Sequence, residues 1–175
     1  KLWLDTNAEL RLTDTAGEDW YVTKSTSTGV GVGVAVSVYN DTNIVAANGA
    51  FTLLTFNQES FDNNGMHDVV AANGRLTAQT EGTYIFTGNF GFAAAVGGRR
   101  VGRIVHSIST GADIGRVEIG SVADGTAFPP FTIMTISTMA VGDYVELHAF
   151  QNSGANINID VGVINPRFSG VRTGG

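Results

Sequence analysis

FTIMTISTMAVGDYVELHAFQNSG, residues 131 to 154, decides how the rest of the chain is read. Two long strands stand on either side of a tight turn at Val141-Gly142-Asp143, and the pair reads as a hairpin. From Tyr144 to Phe150 the alternation is strict. Val145, Leu147 and Ala149 point one way, while Tyr144, Glu146, His148 and Phe150 point the other. Period-two alternation marks a strand with one face in a core. The opposite face sets two aromatics around a carboxylate and an imidazole, a mixture typical of interfaces. The preceding strand, Phe131 to Met139, is apolar on both faces, with Phe131 and Ile133 on one and Met134 and Ile136 on the other. A strand apolar on both faces is covered on both. In a chain this short the second cover is read as another copy of the same chain. Met134, Ile136, Tyr144, Glu146, His148 and Phe150 are therefore the expected subunit interface.

Working outward, 175 residues suit one domain with an appendage and can bury a real core. The chain has 23 Gly and only 3 Pro, among many Thr, Val and Asn. That balance suits short strands joined by Gly and Asn turns. No stretch keeps a helical period, so the expected class is all-β. With no Cys, disulfides and thiolate metal sites are excluded. No apolar run reaches the ~18 to 20 residues that span a bilayer, so no membrane insertion is expected. The net charge of −6, from 16 acidic and 10 basic residues, argues against nucleic acid as a partner. A start at Lys1 instead of Met reads as a fragment or a processed product.

Residues 1–23 form their own unit. Leu2-Trp3-Leu4, Leu10 with Leu12, and Trp20-Tyr21-Val22 read as three short strands broken by turn residues. The stretch resembles the small hairpin modules with Leu-Trp, Asp-Thr and a later Trp that recur in phage tail and fibre proteins ahead of a terminal domain. Residues 24–33, rich in Ser, Thr and Gly, read as a linker. From 34 to 175 lies the main domain, opening on a strand at Val34 to Tyr39. Two copies of Val-Ala-Ala-Asn-Gly, 45–49 and 70–74, carry Asn-Gly, the strongest two-residue hairpin signal; their flanks do not repeat, and they read as two similar turns. Phe51 to Phe56 reads as a strand, and NQESFDNNGMHD, 57–68, as a long polar loop anchored by Phe61. Between Gly82 and Phe92, Tyr84, Phe86, Phe90 and Phe92 share one face and predict a core strand of large aromatic area. Strands are expected at 99–108, 116–122, 157–163 and 168–172, with a turn-rich loop at 123–130.

Asp62 to Asp68 places oxygen ligands around Gly65, which is calcium-like chemistry. It lacks the bidentate Glu that closes an EF-hand loop, and reads as a polar loop satisfying its own backbone. Arg99 and Arg103 alternate onto one strand face, and Arg100 and His106 onto the other. They cannot converge on one anion, and read as exposed strand charges. His67, His106 and His148 belong to no catalytic motif. No catalytic residue, cofactor or metal ligand is assigned.

Three elements in order carry a further resemblance. They are Gly82-x-Tyr84-x-Phe86, then Met139-Ala140-Val141-Gly142-Asp143-Tyr144-Val145-Glu146-Leu147, and finally Phe168-Ser169-Gly170-Val171. The region from 34 to 172 resembles the globular head of complement's first component, subcomponent q, within the tumour-necrosis-factor-like jelly rolls. The loop at 57–68 is closer to versions found in phage and bacterial proteins. The resemblance implies a ten-stranded, two-sheet jelly roll sandwich, a tight homotrimer, and binding in place of catalysis. Together with the hairpin module it gives the expectation of a non-enzymatic structural or adhesive part of an extracellular phage particle, a fibre or tail tip. Expected partners are its own copies, other virion proteins and a host-surface glycan or protein. A secreted bacterial binding module of the same fold, or a glycan-cleaving tip, are the alternatives.

Overall fold

The computed structural model describes residues 2–4, 10–13, 19–22, 33–107, 113–120, 130–162 and 164–174. Two compact units divide the chain, 1–32 and 33–175. In the first, β1 (Leu2–Leu4), β2 (Leu10–Thr13) and β3 (Asp19–Val22) form an antiparallel sheet in sequence order. Leu2 pairs with Leu12, and Leu12 in turn with Trp20.

The second unit is a two-sheet sandwich. One sheet runs β12 (Phe131–Met139), β9 (Gly82–Phe90), β15 (Arg167–Gly174), β4 (Ala35–Tyr39), β7 (Gln58–Asp62). The other runs β11 (Asp113–Ile119), β10 (Arg100–His106), β13 (Tyr144–Gln151), with β6 (Phe51–Leu53) and β8 (Arg75–Thr77) pairing side by side along the far edge of β13. Among the described residues these two sheets hold ten strands, and β5 (Ile44–Ala46) with β14 (Ile157–Ile159) adds a short separate pair. On one side the sandwich closes where β11 meets β12, with the Thr135 hydroxyl donating to the Ile114 carbonyl at 2.7 Å.

Alternation builds the core. Every even residue of β9 is buried and every odd one half-buried, so Tyr84, Phe86 and Phe90 enter the interior. Tyr84 stacks on Phe86 at 5.7 Å, Phe86 lies 6.2 Å from Phe168, and Phe90 stacks on Phe131 at 5.3 Å. Gly88 interrupts the aromatic row for a steric reason. A Cβ there would meet Leu147 of the opposite sheet at 2.6 Å, so the two sheets close only over a glycine.

Several expectations need correction. Residues 131–139 and 144–151 are strands, but they do not form a hairpin: β12 pairs with β9, and β13 with β10, β6 and β8. The turn at 141–143 is a corner that carries the chain from one sheet to the other. Gly142 takes φ 90°, and its N–H donates to the Ala78 carbonyl while Ala78 N–H donates to the Asp143 carbonyl. These two bonds anchor the turn on the segment after β8 and pull β13 away from β12. Both Asn-Gly steps lie in turns, and neither closes a two-strand hairpin: β5 pairs with β14, β6 and β8 with β13, and β7 with β4. The polar loop at 57–68 contains β7, and its Phe61 is exposed instead of anchoring anything. Most of the loop expected at 123–130 lies outside the described residues.

Candidate functional site

Strand register sets which side chains share each outer face. On the β12-β9-β15-β4-β7 sheet, one cross-strand row is Ile136, Ile85, Val171 and Ala35, and the next is Met134, Thr87, Ser169, Ser37 and Phe61. A third holds Thr132, Asn89, Arg167, Tyr39 and Gln58. Arg167 is the one charge in these three rows. Met134 is 69% exposed, Ile136 65%, Phe61 54% and Val171 41%. The polar members bond one another. Ser169 donates to Ser37 at 3.0 Å, Thr132 to the Asn89 side-chain oxygen at 2.8 Å, and Arg167 to Ser60 at 3.0 Å. These bonded groups lose little when water leaves the face, because they keep their partners.

The opposite sheet presents a different surface. Arg103 lies 3.5 Å over the Phe51 ring, Arg75 3.9 Å over Tyr144, and Arg99 5.0 Å over Phe150. Carboxylates hold these guanidinium groups: Glu146 accepts from Arg75 at 2.7 Å, Asp113 from Arg103 at 3.0 Å and Arg116 at 2.9 Å, and Glu118 from Arg116 at 2.7 Å and Arg99 at 3.1 Å. Burial pushes the Glu146 carboxyl up, but the bonds from Arg75 and His148 outweigh it and hold it below the usual carboxylate range. Burial drives the His148 imidazole below its ordinary value; Glu146 opposes this and the charge of Arg103 adds to it. His148 Nε2–H donates to the Glu146 carboxylate, 3.1 Å away.

The six residues expected at the interface thus divide between the two surfaces. Met134 and Ile136 stand on the face whose three rows hold a single charge, Arg167. Tyr144, Glu146, His148 and Phe150 stand on the charged one, where arginines and carboxylates of the same chain already engage them. Arg99 and Arg103 face outward and Arg100 and His106 inward, yet Arg100 is not an exposed strand charge. It is wholly buried and donates to the carbonyls of Gly97, Arg99 and Ala95. In the 62–68 loop the carboxylates serve the backbone. Asp62 accepts from the N–H of Asn64 and His67, and Asp68 from those of Val70 and Ala71.

One line of residues has catalytic composition. Ser137 Oγ lies 3.4 Å from His106 Nδ1, and His106 Nε2 lies 3.5 Å from Asp143 Oδ2. Both separations exceed a working proton-transfer bond. Asp143 Oδ2 also caps its own turn, accepting from Ala140 N–H at 2.8 Å. Sequence spacing gave no hint of this line, because its members come from three strands and turns.

No protein-family model matches the chain, and no match is found among curated proteins. Solved structures do match. The globular domain of zebrafish complement 1qA protein is 17% identical, with a TM-score of 0.55 over 81% of this chain and 97% of that one. Murine APRIL at pH 5.0 is 8% identical, with a TM-score of 0.59 over 80% and 98%. At pH 8.0 it is 9% identical, with a TM-score of 0.53 over 79% and 97%. The chain is therefore similar in fold to the jelly rolls of both groups.

Proposed function

We propose that this chain is a self-assembling, non-enzymatic binding module, a homotrimer joined through the charge-poor face of the β12-β9-β15-β4-β7 sheet. The observation that carries the reading is the pair of outward rows led by Ile136 and Met134. Apolar side chains stand exposed there on a rigid sheet, with one charge beside them. Burying Met134 and Ile136 against a neighbour contributes about 1.5 to 3 kcal/mol each. Repeated by symmetry around a ring, that is the scale of a stable assembly. The charged sheet, already paired within the chain, is left to face outward.

The setting we propose is a phage particle, with the module as a structural or adhesive part of a fibre or tail tip. The resemblance of residues 1–23 to phage hairpin modules supports that placement. Multi-angle light scattering on the purified protein tests the assembly. A mass three times the 18.3 kDa of one chain is expected, and a single-chain mass at micromolar concentration refutes the reading. Binding of the labelled protein to whole bacterial cells tests the adhesive role.

A further inference from the structure

A cleft of about 530 Å³ opens beside Glu59 of β7, Asp68 and Val69 of the following loop, and Arg75, Thr77 and Gln79 in and after β8. We propose that it is a saccharide-binding site for one or two neutral sugar rings. The proposal rests on the binding-module reading above, but not on self-assembly.

The lining mixes donors and acceptors as a sugar demands. A hydroxyl group both donates and accepts, so a polyol is held best where both kinds of partner converge. Arg75 and the Gln79 amide donate, while Glu59, Asp68 and the Thr77 hydroxyl accept. Each carboxylate spends one oxygen on the protein. Glu59 Oε1 lies 2.9 Å from His67 Nδ1, and Asp68 Oδ1 takes two backbone N–H groups. Glu59 Oε2 and Asp68 Oδ2 carry no hydrogen bond among the described residues. Val69, half in solvent, gives an apolar surface for a ring's C–H face. An anion would meet two carboxylates here. No group of three or more His, Cys, Asp or Glu that could hold a metal ion occurs among the described residues.

The cleft is also braced. His67 has a wholly buried side chain and bridges the two walls, with Nδ1 on Glu59 and Nε2 3.3 Å from the Asn73 carbonyl. Thr77 N–H donates to the Met66 carbonyl at 2.7 Å, which ties the loop to β8. A loop held this way keeps its polar groups in place before a ligand arrives, so less ordering is lost on binding.

The test is titration of the ¹⁵N-labelled full chain with D-glucose, D-galactose, N-acetylglucosamine and their β-1,4-linked disaccharides, with calcium chloride and sodium phosphate as other classes. At least one sugar should move the Gly65 and Gln79 amide signals and saturate in the millimolar range. Gln79→Ala and Thr77→Val should each weaken that binding about tenfold, with the light-scattering mass unchanged. Saturation by calcium or phosphate alone, no saturation by any sugar, or full affinity in both variants overturns the proposal. Trimeric mass without sugar binding removes the cleft and spares the assembly. Sugar binding at single-chain mass does the reverse.

Discussion

Phe86 sits at the meeting point of the core. It is wholly buried, stacks on Tyr84 and reaches Phe168, and Gly170 is a glycine where a Cβ would stand 2.9 Å from its ring. Neighbours packed this closely cannot relax far into a vacancy. Phe86→Ala should therefore cost about 3 to 5 kcal/mol through lost burial and a residual cavity. Urea unfolding measures it, and a loss below about 1 kcal/mol would show the ring to be peripheral. On the charged sheet, Glu146 makes a prediction about pH. Its folded carboxyl is held below the unfolded value, so its contribution is present above the ordinary carboxylate range and lost as pH falls through the folded value. Glu146→Gln should be less stable than the parent at pH 7, by about 1 kcal/mol. The gap should close in acid below the carboxylate range. A gap that holds its size down to such pH would mean that the Arg75 pairing contributes nothing.

At the scale of elements, most strands were legible because alternation is a local property of backbone geometry. The aromatic face of β9 and the buried face of β13 follow from residue order alone. Pairing was not legible, because it depends on partners far away in sequence. Two strands and a glycine turn between 131 and 151 look the same whether the turn folds them together or carries the second across to the other sheet. What decides it are the bonds from Gly142 and Asp143 to Ala78, more than sixty residues upstream. The candidate interface was half legible for the same reason. Exposed Met134 and Ile136 can be read from β12, but the stacking of Arg75 on Tyr144 joins residues from separate strands. The row led by Ile136 makes the prediction at this scale. Ile136→Lys places a charge in the proposed contact, and Val70→Lys places one on an exposed loop residue of similar apolar character. Light scattering should show loss of the assembled mass for Ile136→Lys alone, with circular dichroism of both variants unchanged. Equal masses for the two would remove β12 from the interface.

At the scale of the whole molecule, the division between 32 and 33 bears on what carries stability. The second unit holds its own beginning in place. Asn63 Nδ2 donates to the Gly33 carbonyl at 2.9 Å, Ala35 N–H donates to the Asn63 side-chain oxygen at 2.8 Å, and Arg172 N–H donates to the Val34 carbonyl at 2.8 Å. Every partner in these bonds lies at or beyond Gly33. The aromatic core of Tyr84, Phe86, Phe90, Phe131 and Phe168 also lies wholly within that unit. A chain beginning at Gly33 should then fold, melt at the temperature of the parent's main transition and keep the assembled mass. Trp3→Ala in the full chain should leave that transition where it is, while Phe86→Ala lowers it by several degrees, about 2 to 4 °C for each kcal/mol lost at this size. Thermal circular dichroism with light scattering on all three proteins makes the comparison. If the shortened chain fails to fold, or Trp3→Ala shifts the transition as far as Phe86→Ala does, the first unit contributes to the stability of the second. The 32 residues ahead of Gly33 would then be part of the folded domain instead of an independent appendage.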